Sequence, residues 1–156
     1  MKKKNIKKRL IHKNFYKSPS DNMSEMIRRI ADEFISMGST IERRQSHLNL
    51  SCAAWNISLL PASNRDRAIE EYINYNSKLN INWTKEDIEG TRHNIIILIG
   101  DKYKYYPNVN RKIISAEITM VDGKEHLTIA SVNLTPLQEV TLPVEGRSHP
   151  RGGLAC

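Results

Sequence analysis

Residues 111–133 read RKIISAEITMVDGKEHLTIASVN, and the period of this stretch decides the fold class. Ile114, Ala116, Ile118 and Met120 alternate with Ser115, Glu117 and Thr119. Beyond Asp122-Gly123, Leu127 and Ile129 alternate with His126 and Thr128. A period of two marks strands with one buried face, and Asp-Gly between two such runs favours a two-residue type I′ turn. A β-hairpin is therefore predicted over about 112–132. That turn sets Val121 opposite Lys124, Ile118 opposite Leu127 and Ala116 opposite Ile129, with Glu117, Thr119, His126 and Thr128 on the other face. A lone two-stranded ribbon is marginal in water, so its apolar face must rest on other elements. Glu139–Val144 is a candidate third strand, restricted to an edge by Pro143.

Upstream of Pro107 the period is helical. Asn22-Met23-Ser24-Glu25 has the form of a helix start, and Met23, Ile27, Ile30, Phe34 and Met37 follow as one stripe to Gly38, a position suited to a left-handed cap. Ser39-Thr40-Ile41-Glu42 repeats the capping pattern, and Ile41, Leu48, Cys52, Trp55 and Leu59 form a second stripe to Pro61. The segment LSCAAWNISLL, residues 50–60, is apolar on most sides, which predicts the central helix of a bundle. Ser63-Asn64-Arg65-Asp66 begins a third helix, weakened at its end by Asn74, Asn76 and Asn80. Thr84-Lys85-Glu86-Asp87 begins a fourth, with Trp83 and Ile88 spaced for a hydrophobic staple. Its weak points are Gly90, Gly100 and residues 94–99, whose isoleucines also suit a buried strand. The expected fold is α+β: helices at about 22–37, 40–60, 64–79 and 85–105, closed by the hairpin. A basic arm over residues 1–21 and a C-terminal extension over 135–156, Gly/Pro-rich from Gly146 and expected to be a flexible tail, flank this single domain.

At 156 residues, with 39% hydrophobic and 26% charged side chains, the chain suits one core that needs no metal or disulfide to hold it. Two cysteines, Cys52 and Cys156, give neither a secreted disulfide framework nor a thiolate metal site, so a cytoplasmic setting is expected. The longest apolar run, Ile95–Ile99, is far short of a membrane span.

The net charge of +7 is concentrated in one place. Residues 1–20 hold Lys2, Lys3, Lys4, Lys7, Lys8, Arg9, Lys13 and Lys17 and no acid, while the other 136 residues carry 16 Lys or Arg against 17 Asp or Glu. Such an arm gives salt-sensitive affinity for phosphate polymers, to which Phe15 and Tyr16 add stacking. Two plainer accounts are a solubilising tail and translation begun upstream of a domain that starts at Met23. A second basic cluster, Asp101-Lys102-Tyr103-Lys104-Tyr105-Tyr106 with Arg111 and Lys112, interleaves cations with aromatics. Its plainer account packs the tyrosines on the core while the lysines complement a helix C-terminus. Arg28, Arg29, Arg43 and Arg44 are read as surface ion-pair residues, Arg28 and Arg29 lying one turn from Asp32 and Glu33.

No catalytic motif is specific. His12, His47, His93, His126 and His149 stand apart without Cys-x-x-Cys or His-x-x-x-His spacing, so no metal is assigned. Cys52 and His47 diverge by about 140° around a helix, which makes Cys52 a core residue rather than a nucleophile. Phosphate-cradling glycine loops are missing and no cofactor is assigned. The functional expectation is a non-catalytic accessory or adaptor acting with a nucleic-acid-processing partner, its arm contacting DNA, RNA or an acidic protein. The alternatives are an inhibitor or antitoxin docking by a hairpin edge or helix face, and a small hydrolase or nuclease in which two or more of His93, Glu89, His126, Glu117 and Asp101 converge.

Overall fold

The computed structural model describes residues 22–134. Helices α1 (Met23–Ser36), α2 (Ile41–Ser58), α3 (Ala62–Leu79) and α4 (Lys85–Tyr105) precede the antiparallel strands β1 (Arg111–Val121) and β2 (Lys124–Asn133). The fold is α+β, four helices followed by a hairpin that packs against them. The basic arm, the candidate strand at Glu139–Val144 and the Gly/Pro-rich tail lie outside the described residues.

Polar caps start three of the helices. Asn22 accepts from the amide of Ser24 at 3.0 Å, and Thr40 accepts from Arg43 at 3.2 Å. Thr84 and Asp87 form a reciprocal capping box in which the Thr84 amide donates to the Asp87 carboxylate at 2.7 Å. Helix α3 begins two residues earlier than its sequence suggests, after Pro61 and without a side-chain cap. The pyrrolidine fixes the extended entry there, so the polar run at Ser63–Asp66 falls inside the first turns. Residues 94–99 are helical, and the isoleucines split between a buried side, Ile95, and a solvent side, Ile96 and Ile97.

Gly38 ends α1 for a different reason from the one its position suggests. Its φ is not positive; a Cβ there would stand 2.6 Å from the Arg44 amide nitrogen and 2.9 Å from the Arg43 carbonyl carbon. The glycine allows the first turn of α2 to fold back against the end of α1.

Helix α2 packs on α1, α3, α4 and β1, as its apolar circumference requires. Leu48, Ala54 and Trp55 are fully enclosed, and Ile27 of α1 and Ile95 of α4 close over the same core. The hairpin adopts the expected register, with Val121 paired to Lys124, Ile118 to Leu127 and Ala116 to Ile129. Asp122 and Gly123 both take positive φ, 50° and 72°. The apolar face differs at its two ends. A bulge between Ile113 and Ser115 turns Ile113 into the core and leaves Ile114 64% exposed, and Met120 near the turn is 53% exposed.

Two amide side chains of α2 close the β1 edge. Asn56 donates to the Ile113 carbonyl at 2.9 Å and accepts from the Ile113 amide at 2.8 Å, as a paired strand would. Gln45, three turns earlier, donates to the Ala116 carbonyl at 3.0 Å and accepts from the Ile118 amide at 2.8 Å. Beyond the Asn56 contact, Trp55 donates its indole N–H to the Arg111 carbonyl at 2.7 Å. Arg44 at the start of α2 forms an ion pair with Glu125 of β2 and donates to the Gly38 carbonyl at 3.0 Å.

Asn56→Leu strands the amide and carbonyl of buried Ile113 together, and a loss of about 2–4 kcal/mol in urea-unfolding free energy is expected. Gly38→Ala should destabilise through its clash with α2. Gly100→Ala, with open space around its Cβ, should stabilise α4 by up to ~1 kcal/mol.

Candidate functional site

The helices sort chemistry to two ends of the body. Phe34 near the end of α1 stacks on His47 near the start of α2, with ring centres 4.4 Å apart. At the opposite end the C-terminus of α4 meets the C-terminus of α2, where the Tyr103 hydroxyl donates to the Ser58 carbonyl. The first turn of α3 joins them there, its Arg65 guanidinium 4.9 Å from the Tyr103 ring centre. Midway, Arg92 of α4 holds Glu70 of α3 by two hydrogen bonds of 2.7 and 2.9 Å, which keep Glu70 below the usual carboxylate range.

The C-terminal end of α4 contains the second predicted basic cluster. Lys102 departs from that reading: it is 1% exposed, with its ammonium 5.5 Å from the Trp55 ring centre and 5.2 Å from that of Tyr103. Burial, helped by the charge of Arg65, depresses its pKa, and the two ring faces offset part of the lost hydration. Lys102 therefore has no surface on which to meet a phosphate. Lys104 and Lys112 are exposed and Arg111 is half-buried. Arg29 of α1 completes the group, its guanidinium 4.8 Å from the Tyr105 ring centre, while Lys104 stands 5.0 Å from the same ring. The tyrosine faces thus carry the protein's own cations, and the end presents charge rather than bare stacking platforms. Among the described residues no ion pair joins Arg28 or Arg29 to Asp32 or Glu33. The candidates Lys2, Lys3, Lys4, Lys7, Lys8, Arg9, Lys13 and Lys17 lie outside the described residues.

The other end holds a half-open groove of about 480 Å³ between α2, α3 and α4, with Phe34 of α1 at its margin. Sequence reading did not find it, since its parts are dispersed over four helices. His47, Asn49, Tyr72, Asn76, Asn80, Trp83, Glu86, Asp87 and Asn94 line it. The hydrogen bonds of these residues leave both donors and acceptors in the groove: Asn49 accepts from the Gln45 amide at 2.8 Å and keeps its own N–H groups. His47 Nδ1 is 2.8 Å from the Phe34 carbonyl and donates its hydrogen to it. Asn76 spends an N–H on the Tyr72 carbonyl at 2.8 Å, and Asn80 spends one on the Asn76 carbonyl at 3.0 Å. Bonds from the Thr84 amide and hydroxyl keep the Asp87 carboxylate below its usual range and hence charged. Gly90 sits in the α4 wall with nothing within 4 Å of where a Cβ would stand.

A second, shallower hollow of about 400 Å³ borders the bulge between Cys52, Asn56 and residues 113–116. Cys52 is 7% exposed, and burial pushes its thiol up to about 12, so it meets no condition for a nucleophile. None of His93, Glu89, His126, Glu117 and Asp101 lines either concavity. No group of three His, Cys, Asp or Glu among the described residues is arranged to hold a metal ion, and no described helix is long and apolar enough to cross a membrane. Comparison with protein-family models, with curated proteins and with solved structures finds no match for this chain.

Two buried groups give pH effects of opposite sign. The folded chain releases the Lys102 proton below the ordinary 10.5, so stability should rise with pH between the depressed value and 10.5, and Lys102→Met should abolish that rise. The folded chain keeps the Cys52 proton to about 12 while the unfolded thiol loses it near 9.0, so stability should fall across that interval and Cys52→Ala should remove the fall. Urea-unfolding midpoints of the parent and each variant, measured across pH, separate the two contributions.

Proposed function

We propose that the protein is a non-catalytic accessory that engages nucleic acid with its basic arm and the cationic end of its helical body. The observation that carries the reading is the segregation of charge. Eight cations and no acid occupy residues 1–20, whereas the remaining residues carry 16 Lys or Arg against 17 Asp or Glu. The body's contribution is local. Arg29, Lys104 and Lys112 are exposed, and Arg29 lies six residues, about 9 Å of helix rise, from Met23, the residue at which the arm joins α1. The arm thus joins the body within two turns of its cationic end, and the two can follow one stretch of phosphate backbone. Tyrosine rings already covered by Arg29, Arg65 and Lys104 favour contacts to phosphate over base stacking, which makes the expected binding tolerant of sequence.

One observation favours a second reading, docking on a protein. Gln45 and Asn56 occupy the β1 edge, whereas among the described residues none pairs with the outer edge of β2, and an unpaired edge of that kind accepts an added strand. In this reading the arm is incidental.

Full-length protein on labelled duplex and single-stranded oligonucleotides, titrated at several salt concentrations, tests the first reading. For about five phosphate contacts the slope of log K against log salt should be near −4.5 on duplex DNA and about −3.5 on single strands. Changing the eight arm cations to Gln should flatten most of that slope, and Arg29→Glu with Lys104→Glu should remove roughly two contacts more. A parent protein without measurable affinity at low salt, or an arm variant that binds as well as the parent, would refute it.

A further inference from the structure

Helix α4 turns Ile95, Leu98 and Lys102 to the core and carries a different pattern on its solvent side. At about 100° per residue, Glu89, His93, Ile96, Ile97, Gly100 and Lys104 fall within one stripe about 100° wide, and all six are exposed. Ile96 and Ile97 are 54% and 47% exposed, side by side near the middle of the helix. Gly100, one turn on, has nothing within 4 Å of where a Cβ would stand, and its φ is not positive. Neither its own backbone nor a neighbour within the described residues demands glycine there, and glycine weakens the helix relative to alanine. Two apolar side chains in solvent beside a glycine make a surface that a second helix can approach closely.

The order of charges along the stripe identifies that second helix. Glu89 and Lys104 lie at opposite ends, each seven positions from the nearer isoleucine, so the stripe laid on a reversed copy of itself sets unlike charges together. A two-fold axis between Ile96 and Ile97 places Glu89 against Lys104 of the partner subunit, His93 against Gly100 of the partner subunit, and Ile96 against Ile97 of the partner subunit. Each contact then occurs twice. The His93 ring meets a position without a side chain. A parallel pairing instead sets Glu89 on Glu89 and Lys104 on Lys104. Within the chain Lys85 stands 3.8 Å from Glu89, an exposed pair that yields readily to another partner. The Lys104 ammonium has three donors, so a rim position beside a carboxylate leaves it able to meet a phosphate as well.

We propose that the protein forms a reversible antiparallel dimer through the exposed stripe of α4, with a second copy of this chain as its partner. Glu89 to Lys104 covers about 22 Å of helix rise, and one helix pair of that length reaches only the small end of specific interfaces, about 1,000 Å² in total. Association in the micromolar range follows. The dimer requires no nucleic acid, so it stands or falls separately from the arm's binding to phosphate.

Sedimentation equilibrium of the full-length, nucleic-acid-free protein from about 1 to 500 µM tests it. The mass should rise from 18.0 kDa toward twice that value. Ile97→Glu should weaken the dimer about tenfold or more and leave the far-UV circular dichroism unchanged, since the side chain is half exposed in the monomer. Ile96→Lys supplies an independent variant if Ile97→Glu does not fold. Glu89→Lys alone, or Lys104→Glu alone, should weaken association a few-fold by setting like charges together. Both changes in one chain exchange the ends of the stripe and should restore association toward the parent value, a result that neither a parallel helix pair nor a dimer through the β2 edge gives. A parent protein that stays at 18.0 kDa throughout, the stripe then being left to the arm or to another protein, would overturn the proposal. So would an Ile97→Glu variant that associates like the parent, or a double exchange that associates no better than the single ones.

Discussion

A two-stranded sheet has two edges and one apolar face, and this fold exists because α2 satisfies one edge and the face together. The Asn56 amide pairs with both polar groups of Ile113, and Gln45 does the same across Ala116 and Ile118. Helix α2 thus stands where a third strand would run, with side-chain amides in place of backbone amides. The arrangement needs the helix to be central, since the remainder of its surface must also be buried. Leu48, Ala54 and Trp55 meet that requirement by packing among α1, α3 and α4. The bulge at Ile113 to Ser115 is part of the same solution, because it turns Ile113 toward the helix and sets its backbone against Asn56.

The same packing determines what each end of the body can do. The C-termini of α2 and α4 come together with the first turn of α3, so cations gather where helix dipoles are negative. One of them, Lys102, is drawn inside between Trp55 and Tyr103. At the other end capped helix starts and the amide-rich end of α3 enclose a groove lined by amides, aromatic rings and the carboxylates of Glu86 and Asp87. The body is close to neutral in sum, but its exposed cations Arg29, Lys104 and Lys112 stand apart from the carboxylates of Glu86 and Asp87 in the groove wall.

Much of this was legible in the sequence, and the failures have physical causes. Alternation and Asp122-Gly123 suffice for the hairpin register because side-chain period and turn geometry are local properties. The bulge is not legible: Ile113 and Ile114 are the same residue, and the choice of which one enters the core is made by Asn56, fifty-seven positions away. Lys102 reads as a helix-end lysine, since nothing nearby in sequence announces that Trp55 will lie over it. Asn76, Asn80 and Gly90 read as weak points of their helices. Their cost to helix propensity is real, and it is only in three dimensions that they share a recess. The arm, strongest among the sequence signals, rests on charge alone.

The bonds between α2 and β1 also impose an order on folding. The hairpin turn closes over two residues, and helices grow by contacts four positions apart, so both form fast and locally. The docking that makes either durable closes loops of 56 to 73 positions, from Trp55 with Arg111 to Gln45 with Ile118. Chain-closure entropy therefore falls on a single late event, when the amides of α2 find the strand, and the α3–α4 segment between them serves as its tether. Shortening the connections around α3 would speed that encounter, and lengthening them would slow it with little change in the final stability.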